Sequence, residues 1–445
     1  MLTDPIAALA TPAGTSAIAL LRLSGTGVHG VAQRVLRPFD ALPPRTARRA
    51  RAVHPDSGET LDDVLYTVFV GPGSYTGEDC VEIGTHGGLL APGEVLGALL
   101  AAGARLAHPG EFTRRALANG KMDLLQVEAT QDLIEATSPA QRRAALGQLD
   151  RALSARIGRL RDQVLGVEAL VSYDIDFPEE DAGPVPPERV DQAVGDLRAA
   201  LERLVTTAGE GERLREGALC VIAGAPNAGK SALFNALLGS DRAIVTEIAG
   251  TTRDAIEAPA TCGGFPFRLV DTAGLHESAD RIERLGIEVS RRYLAAADIV
   301  LFCVEAGRDV QPGERGFLDM VTVPVALVRT KSDLAMNPIR PGLPVSALSG
   351  EGVSALRAEL ARLAFTRLAG SADVGAIITR ERHRLAIARA LQEVDAFREA
   401  RAAGLEAAVA ATHLRGAITA LEQVIGLVTA DDVLDRLFAT FCVGK

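Results

Sequence analysis

Ala218-Leu-Cys-Val-Ile-Ala-Gly224-Ala-Pro-Asn-Ala-Gly229-Lys230-Ser231 is the stretch on which the fold of this 445-residue chain turns. An apolar run of strand length ends at a glycine, a short loop follows, and Gly-Lys-Ser opens a helical stretch over residues 232–238. The loop fits G-x-x-x-x-G-K-S/T, and both flanks are those its chemistry needs. Backbone N–H groups converge on an anion at the helix N-terminus, where aligned peptide dipoles favour negative charge. Lys230 then reaches β- and γ-phosphates, and Ser231 ligates Mg2+. A chance glycine-rich turn would explain the loop but not its flanks.

Outward from this loop, residues 218–223, 267–270, 299–304 and 323–328 are short apolar runs separated by helical segments. That alternation predicts a parallel sheet with βαβ crossovers. Three motifs follow the loop in order, two of them at the ends of those runs. Asp271-Thr272-Ala273-Gly274 offers a carboxylate to the magnesium shell and the Gly274 N–H to a γ-phosphate. Thr330-Lys331-Ser332-Asp333 ends another run; the Asp333 carboxylate accepts the N1 and N2 protons of guanine and is repelled by the N1 acceptor of adenine. Ser346-Ala347-Leu348 lies where a backbone N–H meets guanine O6. In this order the motifs specify a guanine nucleotide, with Asn227, Ala228, Gly229, Lys230, Ser231 and Ala232 around its phosphates.

The segment Thr246-Glu247-Ile248-Ala249-Gly250-Thr251-Thr252 supplies further nucleotide contacts, with Thr252 a second Mg2+ ligand. The side-chain oxygen of Asn227 and backbone carbonyls of this segment form a cage for a hard monovalent cation. Such a cation replaces the positive charge of an arginine finger. Leu275 stands where regulatory small GTPases usually place a water-orienting Gln, so another acceptor must orient the water. Glu283 is the candidate, with Glu277, Asp280 and Glu288 as nearby alternatives and a solvated helix carboxylate as the competing reading.

Composition bounds what surrounds this domain. At 445 residues, about three domains are expected. Lys plus Arg number 47 against 57 Asp plus Glu, a net charge of −10, so the chain as a whole has no electrostatic drive to coat nucleic acid. With no Trp and 4% aromatic residues, a stacking platform for single strands is not expected either. Cys80, Cys220, Cys262, Cys303 and Cys442 are scattered and odd in number, so buried reduced thiols are expected rather than disulfides or zinc. The Ala-rich start carries Asp4 and lacks a basic n-region, and no uncharged run approaches membrane-span length, so a cytoplasmic protein is expected.

The texture shifts along the chain. Residues 1–118 read as α/β, with strands over 17–23 and 65–70 and a helix over 91–102. Long helical stretches run from 124 to 171 and about 189–208, interrupted by the acidic, proline-rich residues 179–187. After residues 369–375, helices resume, and Ile387, Leu391, Val394 and Phe397 mark one apolar stripe. Helical texture on both flanks predicts that the α/β nucleotide domain is inserted into a helical one. Arg45, Arg48, Arg49 and Arg51 form a basic cluster, read here as a solvated loop.

These residues resemble the MnmE (TrmE) family of tRNA modification GTPases over essentially the whole chain. Beyond the loop and Ile244-Val-Thr-Glu-Ile-Ala-Gly-Thr-Thr-Arg-Asp254, the likeness includes Leu21-Arg-Leu-Ser-Gly25 and Gly71-Pro-Gly-Ser-Tyr-Thr-Gly-Glu-Asp79. His86-Gly-Gly88, His108-Pro-Gly-Glu-Phe-Thr113 and Asn119-Gly-Lys-Met-Asp-Leu124 also match, as do Asp176-Phe-Pro-Glu-Glu180 and Phe441-Cys-Val-Gly-Lys445. Related ribosomal-RNA-binding GTPases share the nucleotide motifs but not these segments. The resemblance implies an N-terminal α/β folate-binding and dimerisation domain (1–118) and a helical domain in two parts (119–216 and 371–445). Between those parts lies an inserted Ras-like P-loop GTPase domain (217–370). It implies potassium at Asn227, Thr246, Ile248 and Thr251, and it places Glu283 on the family's catalytic glutamate. Arg22, Glu82, Lys121 and Lys445 fall on contacts to 5-formyl-tetrahydrofolate or a related reduced folate.

The implied activity is potassium-dependent GTP hydrolysis by a homodimer. With the flavoprotein MnmG (GidA), which carries FAD and uses NADH, it adds a carboxymethylaminomethyl or aminomethyl group at C5 of the wobble uridine of certain tRNAs. A regulatory or ribosome-assembly switch with no part in base modification is the competing reading. Thr330 departs from the usual Asn of N-K-x-D, which predicts a weaker contact to guanine N7. His276 stands where an Arg is common, and Cys442 is left open as a thiol or acid in one-carbon transfer.

Overall fold

The computed structural model describes residues 3–41, 43–176, 186–239, 257–271, 293–334, 340–369, 374–427, 431–441 and 444. They fall into two compact units, residues 1–131 with 425–445, and residues 132–424.

The first unit is built on seven strands: β1 (Ile6–Leu9), β2 (Ile18–Ser24), β3 (Leu36–Arg37), β4 (Arg48–Val53), β5 (Thr60–Phe69), β6 (Cys80–His86) and β7 (Arg105–Leu106). Their order is β3-β4-β5-β6-β2-β1-β7, antiparallel except for the β1–β7 pair. Helices α1 (Val28–Val35) and α2 (Ala91–Ala101) cover one face, burying Leu21, Leu23, Val64, Tyr66, Val81 and Ile83 with Val95 and Leu99. On the other face Arg22 stands opposite Glu82, and Ile18 and Leu65 remain 64% and 55% exposed.

The basic cluster is not a solvated loop. Arg48, Arg49 and Arg51 lie on β4, where Arg-Arg-Ala-Arg-Ala-Val alternates so that Ala50 and Ala52 are buried while Arg49 and Arg51 face out. Two cations are neutralised locally, Arg49 by Asp63 and Arg48 by Asp40. Arg45 precedes the strand and donates its backbone N–H to Val68.

Helices α3 (Glu111–Ala118) and α4 (Leu124–Glu135) follow, and the C-terminal helix Asp431–Ala439 returns to them, packing Phe438 and Phe441 on Val127. Gly444 comes back to the first strand. Its φ is +102°, and a Cβ there would stand 2.5 Å from the Leu9 carbonyl oxygen, so only glycine fits.

An ion network holds α3 to the sheet. Glu111 is 3% exposed and accepts from Arg105 at 2.7 and 2.9 Å, Arg115 at 3.0 Å and the His108 N–H at 2.9 Å. Burial alone would raise its carboxyl, but the guanidinium of Arg105, the N–H of His108 and then Arg115 outweigh it and hold the group at about 2. A depressed carboxylate stabilises the fold above its unfolded value near 4.5, and that contribution is lost as pH falls through 2. It is on the order of 3 kcal/mol for a shift of this size. Glu111→Gln is therefore expected to lower the urea midpoint at pH 7, and the gap from the parent should close as pH falls from 4.5 to 2. A gap independent of pH would show the carboxylate charge plays no part.

The second unit opens with helices α5 (Pro139–Leu149), α6 (Ala152–Asp176), α7 (Pro187–Val205) and α8 (Ala208–Glu216). Ser138 begins α5 with a reciprocal capping box to Gln141. A six-stranded sheet follows: β8 (Ala218–Gly224), β9 (Glu257–Cys262), β10 (Phe265–Asp271), β11 (Ile299–Glu305), β12 (Val325–Thr330) and β13 (Leu343–Val345). Its order is β13-β12-β11-β8-β10-β9, parallel throughout except for the antiparallel edge β9. Helices α9 (Lys230–Leu238) and α11 (Val353–Ala364) cover one face through Leu233, Leu237, Leu356 and Leu360; α10 (Pro312–Met320), between them in the chain, covers the other, stacking Phe317 on Phe302.

The chain then returns to helices, α12 (Glu381–Ala402) and α13 (Ala407–Ile425). The α12 stripe buries Ile387, Val394 and Phe397 fully and Leu391 in part. Ion pairs Arg198–Asp395 and Arg401–Asp191 join α12 to α7, and Arg161–Glu422 joins α13 to α6. Among the described residues no helix is long and apolar enough to cross a membrane.

Candidate functional site

The phosphate loop leaves the sheet where the sequence predicts. Residues 218–223 of β8 are all buried between β10 and β11, and the chain turns off at Gly224. There φ is +145°, and a Cβ would come within 2.4 Å of the Cys303 carbonyl oxygen, so a side chain would block the turn. Asn227 sits at φ +63°, a left-handed conformation that Asn tolerates better than most residues, with its side chain exposed. Lys230 opens α9 at 8% exposure, its Nζ donating to the Gly224 and Ala225 carbonyls at 3.1 and 2.9 Å. Ser231 and Ala232 complete the exposed first turn of α9. Behind the loop, burial pushes the Cys303 thiol up to about 12 and the Cys220 thiol well above its usual value, which makes both inert. Cys80 and Cys262 are likewise buried.

Neighbouring strand ends bring the other motifs to the same edge of the sheet, outside the carboxyl ends of parallel strands, where ligands of such folds bind. Asp271 ends β10 beside Ile222 of β8 and is 9% exposed. The Ser231 hydroxyl and Asp271 carboxylate are hard oxygen donors of the kind Mg2+ takes. Thr330 ends β12, 3% exposed, and its Oγ1 donates to the Ala228 carbonyl at 2.7 Å. Lys331 follows at φ +55° and pairs with Glu305, Ser332 is half-buried, and Asp333 projects into solvent. Ser346, fully buried, spends its N–H on the Glu351 carbonyl at 2.9 Å. Ala347 and Leu348, which follow it, are half-buried and 91% exposed.

Several candidates lie outside the described residues: Glu283 and its alternatives, Thr246 to Thr252, Thr272, Ala273 and Gly274, Leu275, His276, Cys442 and Lys445. The four potassium positions are therefore represented by Asn227 alone.

The first unit holds the second constellation. Arg22 donates through Nε and Nη2 to Glu82 at 3.0 and 2.8 Å, and its guanidinium lies 4.8 Å from the Tyr75 ring centroid. Tyr75 is held by a 2.9 Å hydrogen bond between its hydroxyl and that of Thr113. Lys121 donates to the Pro72 carbonyl at 2.8 Å and packs under Gly77, and Asn119 donates to the Thr76 carbonyl at 2.7 Å. The loop from Gly71 to Asp79 thus ties Lys121 to Arg22. Tyr75 and Asn119 hold Arg22 and the Gly71–Asp79 loop in place, and neither is among the residues expected from the sequence. Both sit inside the quoted motifs, yet nothing local says which ring or amide another segment will use.

A glycine-rich phosphate loop with guanine-specific motifs on adjacent strand ends defines a P-loop guanine-nucleotide-binding protein. The family described as the MnmE helical domain matches residues 124–442, and that described as the GTP-binding protein TrmE N-terminus matches residues 5–121. The tRNA modification GTPase MnmE of Moorella thermoacetica is 41% identical over 470 aligned positions, covering 100% of both chains. That of Aquifex aeolicus is 39% identical, covering 99% of this chain and 100% of its own. The chain belongs to the MnmE (TrmE) family of tRNA modification GTPases. A crystal structure of a single-residue variant of Aquifex aeolicus Era bound to GDP·AlF4− aligns with 33% of this chain and 56% of its own at 25% identity, with a TM-score of 0.27. Family membership rests on the full-length relatives.

Proposed function

We propose that this protein is a homodimeric, potassium-dependent GTPase that works with the flavoprotein MnmG on tRNA. The pair adds a carboxymethylaminomethyl or aminomethyl group at C5 of the wobble uridine of certain tRNAs, and GTP turnover drives G-domain dimerisation and rearrangement of the nested domains. The observation that carries this reading is end-to-end similarity to proteins named tRNA modification GTPases, with a nucleotide loop, Asp271 and Thr330–Asp333 at one sheet edge.

In the hydrolytic site, the Lys230 ammonium exchanges its loop carbonyls for β- and γ-phosphate oxygens. Ser231 and Thr252 would hold Mg2+, which neutralises charge on the transferring phosphoryl group. Asn227, with Thr246, Ile248 and Thr251, would hold the potassium ion, and Glu283 would orient the attacking water. In the first unit, Lys121 and Lys445 would meet the carboxylates of a reduced folate, while Glu82, held by Arg22, would accept from its pterin N–H groups. Gly444 supports this by lying on Leu9 of β1, the strand paired with the one that carries Arg22. The exposed, neighbouring Ile18 and Leu65, on the part of that sheet face away from Tyr75 and Phe112, support pairing of two copies. Cytoplasmic tRNA fits this arrangement.

Mass spectrometry of wobble uridines tests the proposal. Cells lacking this chain are expected to lose the C5 modification and to regain it on complementation. Unchanged uridines would leave the regulatory or ribosome-assembly switch as the better reading.

A further inference from the structure

We propose that Thr330 does not contact the base at all but serves as a tether between the base-recognition strand and the phosphate loop, so that guanine N7 is left unread. The inference rests on the guanine-nucleotide reading of this site. Thr330 Oγ1 lies 2.7 Å from the Ala228 carbonyl oxygen, across 102 residues of sequence. Both residues are buried, at 3% and 1% exposure, and the loop packs closely enough that a Cβ on Gly229 would lie 3.6 Å from the Thr330 Cβ.

Donor counting decides the matter. A threonine hydroxyl has one proton, whereas an asparagine amide has two N–H donors. The amide usual at this position can hold the phosphate loop with one proton and offer the other to N7. Thr330 has given its proton to Ala228. Guanine N7 is an acceptor, and a threonine whose proton is spent has no donor to bring it. Turning the hydroxyl toward N7 would leave a buried carbonyl short of a hydrogen bond, an exchange with no net gain.

Recognition then falls on two other groups. Asp333 takes the N1 and N2 protons. The O6 acceptor takes a backbone N–H of Ala347 or Leu348, because the Ser346 N–H is committed to Glu351. Thr330 becomes a positioning residue that fixes where Ala228 and the start of α9 stand relative to the base.

The test is calorimetric titration of the full chain with GDP and with 7-deaza-GDP, which differ only in the acceptor at position 7. The two affinities are expected to agree within about twofold, because no hydrogen bond is lost. In Thr330→Asn, which restores a spare donor, 7-deaza-GDP is expected to bind about five- to tenfold more weakly than GDP. Thr330→Val removes the tether with little change of shape and should weaken both ligands equally, by about three- to tenfold, while Thr330→Ser restores them. A fivefold or greater preference for GDP in the parent protein would overturn the proposal, as would a Thr330→Val variant binding at parental affinity. Failure of the parent protein to bind either nucleotide would instead overturn the site itself, and the proposal with it.

Discussion

Asp333→Asn is expected to lower GTP affinity by about 10²–10⁴-fold, the value of two hydrogen bonds to a charged acceptor. The same variant is expected to acquire affinity for xanthosine triphosphate. Asp333 stands exposed in the short helical turn just beyond β12, and on the proposed reading its two oxygens would accept the N1 and N2 protons of guanine. Xanthine replaces the N2 amino group with a carbonyl, which repels a carboxylate but accepts from an Asn amide. The switch has both signs, so loss of fold cannot mimic it. With Thr330 committed to the phosphate loop, fewer contacts back up Asp333 than in an Asn-bearing site, which places the expected loss toward the upper end. Competition binding with both triphosphates checks this. Retained GTP affinity within tenfold, without uptake of xanthosine triphosphate, would remove Asp333 from the site.

Lys230→Ala is expected to slow single-turnover GTP hydrolysis by about 10²–10³-fold or more, the cost of deleting one preorganised donor where charge develops. Lys230 is held by two loop carbonyls at 8% exposure, so its ammonium needs little reordering to meet phosphate oxygens. Lys230→Arg should not rescue the loss, because a planar guanidinium does not fit the space of a compact ammonium among main-chain carbonyls. Turnover within tenfold of the parent in Lys230→Ala would mean that the loop does not bear on the phosphoryl group.

Much of the second unit was legible because its signals are local. A buried parallel strand is a continuous apolar run, and the phosphate loop, Asp271 and the Thr330–Asp333 motif each begin where such a run stops. Contacts across long separations were not legible. Nothing near Thr330 announces Ala228, and only the β12–β11–β8 order brings them together. Arg22 and Glu82, 60 residues apart, meet because β2 pairs with β6, a choice that hydrophobic period does not encode. The arginine cluster is a different failure. Its alternation with Ala50 and Ala52 was visible as period two, but charge weighed more heavily than pattern.

The first unit is closed by residues from both extremes of the chain, since Phe438 and Phe441 cover Val127 and Gly444 lies on Leu9. During synthesis, the strands of its sheet therefore leave the ribosome well before the helix that covers α4. At ordinary elongation rates the wait is about 15–60 s. The second unit, whose residues are contiguous, can complete its core within that interval. Assembly thus runs from the inside of the sequence outward, and the surface around Leu117, Met122 and Val127 stays apolar and open until Phe438 and Phe441 have been made. A ribosome that stops between the second unit and the helix Asp431–Ala439 releases a finished second unit attached to an unclosed first one, a natural substrate for chaperones and proteases.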